Sequence, residues 1–169
     1  MRRFQRLSQT EDDNLNKLFP DLDKLYGIED TNHYNHLAIS VFDHILNEDE
    51  ARDHIDGVTS EQETLNDRNL HEFCCSLALK NECYIVRPIG IRKHNVTYRR
   101  FLSHAGVKSY LEPKPYNWGS RNRFVLALPK MKLIYFEGWD FTHHVYYKDK
   151  TQISQLKEQA KEHGVFILE

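Results

Sequence analysis

The sequence predicts an α+β fold in which a helical, acidic N-terminal half packs on a mainly antiparallel β-sheet. The main observation is a stretch at residues 123–148, which contains three apolar, aromatic-rich runs separated by a turn at Pro129 and another at Gly138. Runs that are apolar on both faces are typical of strands covered on both sides. We therefore expect this stretch to form a three-stranded meander that carries the core sheet.

Length and composition favour one domain over residues 1–169, with an acidic helical part (10–80) and a basic sheet-containing part (83–169). The longest apolar runs are far shorter than the roughly 20 residues that span a bilayer, so we expect no membrane partner. The N-terminus lacks an apolar region of the signal-peptide type. Three cysteines without a C-x2-C spacing predict buried free thiols, a cytoplasmic location and no metal or cofactor.

The first half contains helix signals in sequence order. Residues 10–19 predict a short helix capped by Thr10 with Asp13 at the capping-box position, and a second turn ends at Gly27. The strongest apolar period lies in residues 31–47, which predicts a long helix. Its expected inward face consists of Tyr34, Leu37, Ala38, Val41, Phe42, Ile45 and Leu46.

After an acidic connection at 47–57, a capping-box pattern at Ser60 predicts a further helix. The expected core face of that helix is Leu70, Phe73, Cys74, Leu77 and Ala78.

The second half of the sequence predicts several strands and one helix. Residues 84–91 predict a strand that Pro88 disturbs or places at an edge, 95–102 fit a strand or a short helix, and 111–120 predict an irregular loop. After the meander, residues 151–163 predict a helix that ends at Gly164, followed by a short strand at 165–168. The inward residues of that helix are expected to be Ile153, Leu156 and Ala160.

The net charge of −2 conceals a strong asymmetry. Residues 10–72 contain 17 acidic and 4 basic residues, whereas the chain from residue 80 onward contains 16 basic and 8 acidic residues. Such a division bears on partners and solubility rather than on fold.

The leading hypothesis is a non-catalytic binding protein, a small inhibitor of the immunity or antitoxin kind. An acid-rich surface on a rigid scaffold can steer association with a basic protein, such as a nuclease toxin, and cover its groove. The alternative for these acids is a solvated surface without a partner. The predicted partner-binding residues are Glu48, Asp49, Glu50, Asp53, Asp56, Glu61 and Glu63.

A second hypothesis is a nucleic-acid-binding module at residues 87–123. This stretch contains nine basic residues, only one acidic residue, and aromatic residues interleaved with the basic ones. Alternatively, these bases pair with the acidic half within the fold. The residues expected to contact nucleic acid are Arg92, Lys93, Arg99, Arg100, Arg121 and Trp118.

A third hypothesis is a hydrolase with a site near Asp140 and His143, because an imidazole and a carboxylate could converge there. No established catalytic motif supports it: H-E-x-x-H, G-x-S-x-G and phosphate-binding glycine patterns are all absent. On the helix predicted for residues 31–47, His36 and His44 are two turns apart, about 12 Å. That separation is too large for a shared ion, so the sequence predicts no metal site.

Overall fold

The structure, a computed structural model, describes residues 3–26, 33–89, 95–113 and 124–169. Within these ranges the fold is α+β, as predicted, with eight strands in one antiparallel sheet of order β1-β4-β3-β5-β6-β7-β2-β8. The strands are β1 (Phe4–Arg6), β2 (Asn35–Ser40), β3 (Tyr84–Ile89), β4 (Asn95–Phe101), β5 (Val125–Leu128), β6 (Leu133–Phe136), β7 (Thr142–Tyr147) and β8 (Phe166–Leu168). None of the helices described is long and apolar enough to cross a membrane.

The helices form layers on the two faces of this sheet. They are α1 (Gln9–Leu18), α2 (Leu22–Tyr26), α3 (Glu48–Ala51), α4 (Ser60–Lys80), α5 (His104–Leu111) and α6 (Ile153–Glu162), with a short π-helix at Arg52–Asp56. Helices α4, α5 and α6 contribute to a core on the first face, and α1 and α2 to a separate core on the second.

The predicted meander is confirmed and lies between these two cores. Every residue of β5 and β6 is buried, and successive residues alternate between the cores: Leu126 belongs to the first core, Val125 and Ala127 to the second. In β7, His143, Val145 and Tyr147 are buried on the first face. A strand pair of this kind requires cover on both sides because neither face can be left in water.

The helices that flank the meander also follow the sequence pattern. The predicted core face of α4 is buried, and so are Ile153, Leu156 and Ala160 of α6. Gly164 ends α6 with φ +66°, the left-handed conformation that glycine adopts without strain.

Two helix starts are shifted from the predicted positions. Helix α1 is capped by Ser8 rather than Thr10, because Ser8 and Glu11 form a reciprocal capping box. Helix α4 is capped by Thr59, whose hydroxyl accepts from the Gln62 amide at 3.3 Å, rather than by Ser60. In both cases the residue before the first helical turn supplies the cap.

The helix predicted for residues 31–47 is wrong: the described part of this segment is strand β2 followed by an irregular stretch. Leu37 is buried as expected, but the neighbouring buried residue is Ile39 and not Val41, and Ile45 is 80% exposed. The apolar positions fit a period of two as well as a helical period. The strand forms because β7 and β8 pair with its two edges.

The stretch at 95–102, for which the sequence fits a strand or a helix, forms strand β4. The pairing of β3 explains how Pro88 is accommodated. Strand β3 pairs with β4 along its whole length but with β5 only at Tyr84 and Ile85. Among the residues described, Pro88 therefore lies where one edge of β3 has no paired strand, a position that suits a residue without an amide proton. The loop predicted at 111–120 lies largely outside the described residues.

We predict that Ile39→Ala lowers the free energy of unfolding by about 2–5 kcal/mol, because it removes a fully buried side chain and leaves a cavity. Ile45→Ala should change the free energy of unfolding by less than about 0.5 kcal/mol, since Ile45 lies in solvent. Urea denaturation measures both values. A larger loss of stability for Ile45→Ala than for Ile39→Ala would support the predicted helix and contradict strand β2.

Candidate functional site

Residues 41–65, called here the acidic segment, run from the end of β2 into α4 without one buried residue. The segment contains eight acidic residues and a single arginine. It includes α3, the π-helix and the first six residues of α4, which are exposed on every side of that helix. A long ordered segment without a buried residue, in which only Val41 packs against a core, offers a large surface for contact with another molecule.

Local hydrogen bonds give the acidic segment its shape. The Asn47 side chain accepts from the Glu50 amide at 3.0 Å, and the Glu50 carboxylate accepts from the Asn47 amide at 2.9 Å, a capping box that starts α3. Nδ1 of His44 lies 2.6 Å from a carboxylate oxygen of Asp43, and Nε2 of the same ring lies 3.2 Å from a carboxylate oxygen of Glu50. Hydrogen bonds to these two carboxylates raise the pKa of His44, and the Asn47 amide lowers the pKa of Glu50.

Most of the predicted partner-binding acids are displayed to solvent. Glu48 and Asp49 approach Arg52 at 3.7 and 3.5 Å, and such exposed pairs contribute little to stability. Glu50 is the exception, since its carboxylate is committed to the start of α3. The remaining four are exposed and form no ion pair with any residue described: Asp53, Asp56, Glu61 and Glu63.

Apolar side chains accompany the acids. Ile45, just before α3, is 80% exposed, and Leu65 of α4 is also exposed. Protein interfaces typically combine a few apolar contacts with a charged rim. The segment carries both components.

The turn between β6 and β7 borders the acidic segment. Phe141 packs against Phe42 with ring centroids 6.5 Å apart, Phe42 contacts His54 of the π-helix at 6.1 Å, and Trp139 of the turn is 39% exposed. Asp140 and Phe141 both have positive φ, +55° and +56°. For a bulky residue such as Phe141 this conformation is strained and needs support, and here the Val41 amide donates to the Phe141 carbonyl at 3.3 Å.

The hydrolase hypothesis placed His143 beside Asp140. The structure instead buries the His143 ring on the first face, where the Tyr135 hydroxyl lies 2.7 Å from its Nδ1. The Cys74 thiol donates to that hydroxyl at 3.0 Å, so the three groups form a chain from Cys74 through Tyr135 to His143. Asp140 is exposed in the turn.

Burial governs the protonation of this chain. It raises the pKa of Cys74 and that of Tyr135 well above their ordinary values, so both groups keep their protons at neutral pH. Nucleophilic cysteines require a thiolate in an electropositive, accessible place. The geometry is therefore that of a buried hydrogen-bond network.

A second cysteine–histidine pair lies on α4, where Cys75 is buried and His71 is half-buried. The Cys75 sulfur is 3.2 Å from Nε2 of His71, but the same nitrogen lies 3.1 Å from the Lys108 carbonyl. A carbonyl accepts only, so this nitrogen carries the proton and is no base for the thiol. Burial raises the pKa of Cys75 to about 11.

Of the predicted nucleic-acid residues, Arg99 and Arg100 are described and both are exposed. Arg100 forms an ion pair with Glu11 at 3.0 Å. This is one contact between the basic stretch and the acidic half of the chain, as the alternative to nucleic-acid binding expects. The other four lie outside the described residues: Arg92, Lys93, Trp118 and Arg121. Tyr98, an aromatic residue of the same stretch, is fully buried and offers no stacking surface. The nucleic-acid hypothesis stays a prediction.

A search of protein-family models, curated proteins and solved structures finds no match to this chain. The residues themselves therefore carry the functional argument.

Sequence reasoning found the acids of this surface but missed its apolar members. The helical period of residues 31–47 places Ile45 in a helix core, and no pattern in the sequence indicates that Trp139 is exposed. The acidic, cap-forming stretch that begins at Asn47, two residues after Ile45, is a signal that could have placed Ile45 outside the core. The contact between Phe42 and Phe141 has no local signal, because it joins segments about 100 residues apart.

We predict that Tyr135→Phe lowers the free energy of unfolding by about 1–3 kcal/mol, because His143 and Cys74 lose a buried hydrogen-bond partner. Tyr146→Phe is the matched control, since its hydroxyl forms no hydrogen bond with any residue described. Thermal and urea denaturation give both values. Equal effects of the two substitutions would show that the network is energetically neutral.

Proposed function

We propose that this protein is a non-catalytic binding protein of the immunity or antitoxin kind, which covers a basic partner such as a nuclease toxin with its acidic segment. The observation that carries the proposal is that 25 consecutive residues, rich in acids, form ordered structure without contributing one buried residue to the fold. Stability alone does not account for such a segment.

The charge of the segment selects the partner. Nucleases that bind phosphate backbones present basic surfaces, because phosphate contacts dominate their affinity. A carboxylate-rich surface complements such a groove, accelerates the encounter and competes with nucleic acid for it. Asp53 and Asp56 on the π-helix and Glu61 and Glu63 on α4 are available for these contacts, since no described Lys or Arg neutralises them.

Affinity requires more than charge, because rim charges act chiefly on the association rate. Ile45, Leu65 and Trp139 supply exposed apolar area on and beside the acidic segment. Tryptophan is also among the residues most enriched at energetic hot spots. We place the apolar contacts of the complex at these three residues.

The cysteines support a reducing, cytoplasmic location as part of the proposal. Cys74, Cys75 and Cys83 are buried free thiols. Burial raises the pKa of all three, which disfavours oxidation through the thiolate.

The proposal predicts that a photo-reactive amino acid at position 45 captures a basic protein in host cells. The same group at position 102 is the control, because Leu102 is an exposed apolar residue away from the acidic segment. Mass spectrometry identifies the adduct. The expected result is one dominant adduct at position 45, absent at position 102, with a partner whose isoelectric point is basic.

A second experiment neutralises the four acids of the acidic segment that form no ion pair with any residue described. In the variant D53N/D56N/E61Q/E63Q the melting temperature should change little, since exposed charges contribute little to stability. Adduct formation and the association rate measured with the purified partner should both fall, and in the wild type both should fall as salt rises. A partner that is acidic, or one captured equally by the neutralised variant, would refute the proposal, as would no adduct at position 45.

A further inference from the structure

Among the residues described, helices cover only part of the second face of the sheet. The core that α1 and α2 form on this face includes residues of β3, β4, β5 and β6. On the same face of β7 and β2, Tyr146 packs against the edge of that core, and the neighbouring side chains of His36, Ala38 and His144 are exposed or half-buried. This part of the sheet lies on the face opposite the buried network around His143.

Two histidines meet on that open face. Across the antiparallel pair β2–β7, His36 is opposite Tyr146 and Ala38 is opposite His144, so the two imidazoles are diagonal neighbours. Nε2 of His36 lies 3.1 Å from Nδ1 of His144, and the rings stack at 27° with centroids 5.3 Å apart.

Neighbouring groups hold the two rings in place. The Tyr146 ring lies 5.0 Å from the His36 ring. Gly138 brings backbone against the other ring: a Cβ at this position would be 3.0 Å from Cδ2 of His144 and only 2.1 Å from the Thr142 carbonyl oxygen. Glycine is thus required where the β6–β7 turn closes over the His144 ring, and it leaves Nδ1 directed toward His36.

We propose that His36 and His144 form a binding site for a divalent transition-metal ion, of the Zn²⁺, Ni²⁺ or Cu²⁺ class, with water in the remaining coordination positions. Imidazole nitrogens bind such ions at about 2.0–2.1 Å, which places two adjacent ligands roughly 3 Å apart. The observed nitrogen separation has this value. Neutral imidazole is also the ligand that suits this class of ion.

The site has two protein ligands. Among the residues described, no group of three or more His, Cys, Asp or Glu could hold a metal. Because His36 is exposed, solvent can reach the open positions. Open positions are characteristic of exchangeable or reactive metal sites, whereas closed sites with four protein ligands are structural.

Protonation favours binding at neutral pH. Partial desolvation lowers the pKa of His36, whose side chain is otherwise exposed, and burial together with the nearby His36 ring lowers the pKa of His144. Both rings are therefore neutral at pH 7. Without metal, the N–H of one ring donates a hydrogen bond to the bare nitrogen of the other. When the ion binds both of these nitrogens, His36 carries its proton on Nδ1 and His144 carries its proton on Nε2. This change of tautomer needs no net proton release.

The test titrates the purified full chain with NiCl2 or ZnCl2, measuring affinity by calorimetry and the imidazole nitrogens by ¹⁵N NMR. We expect one ion per chain, a higher melting temperature, and metal-dependent shifts of Nε2 of His36 and Nδ1 of His144. His36→Gln and His144→Gln should each weaken binding about 10-fold or more, since loss of even an outer partner of a ligand costs that much. EDTA should reverse every effect.

His104→Gln is the control, because His104 is an exposed imidazole at the start of α5 and should leave binding unchanged. Circular dichroism spectra confirm that each variant is folded. Equal affinity in wild type and both ligand variants would assign the ion to other histidines and overturn the proposal. Failure to bind either ion at neutral pH would also overturn it, and would leave the pair as a hydrogen-bonded contact between strands.

Discussion

The fold depends on the burial of β5 and β6 on both of their faces. All eight residues of these strands, four in each, are buried, and their side chains alternate between two cores. Each large apolar side chain contributes about 1.5–3 kcal/mol when it leaves water, so neither face can remain uncovered. This requirement divides the helices: α1 and α2 cover one face, and α4, α5 and α6 cover the other. Strand β2 lies between the two helical groups in the sequence and connects the faces as part of the sheet.

Two surfaces follow from where that cover ends. On the second face, the core that α1 and α2 form reaches Tyr146 of β7, while His36 is exposed and His144 is half-buried among the residues described. The acidic segment, between β2 and the buried part of α4, has no buried residue, and only Val41 at its start packs against a core. Its composition is therefore not constrained by packing, and it can hold eight acidic residues that a core would exclude.

The sequence was sufficient wherever contacts are local. The meander and α6 were predicted because hairpin neighbours and helical turns lie close together in the chain. Strand β2 could not be recognised in this way. Leu37, Val41 and Ile45 satisfy a helical period, while Leu37, Ile39 and Val41 satisfy a strand period. The choice between them depends on β7, about 100 residues later, which pairs with β2.

The same limit applies to the two surfaces. Exposure of the acids was predictable, because long runs of carboxylates are rarely buried. The approach of His36 to His144 was not, since it depends on the register between strands whose contacting residues are 108 positions apart. A shift of one residue in that register would turn the pair to opposite faces. The site is thus a property of the pairing and not of either segment.

The ends of the acidic segment explain how it can be exposed and still ordered. At one end, the Ser40 hydroxyl lies 2.9 Å from the Thr142 hydroxyl, and the Val41 amide donates to Phe141. At the other end, α4 enters the fold at the buried Asn66, whose side chain accepts from Gln62 at 2.8 Å. Both ends are therefore attached to the sheet or its helices, and local caps order the residues between them. A partner that binds this surface meets a preformed shape, so less of the binding free energy is spent on ordering the chain. Preorganisation of this kind favours a docking surface over a segment that folds only on binding.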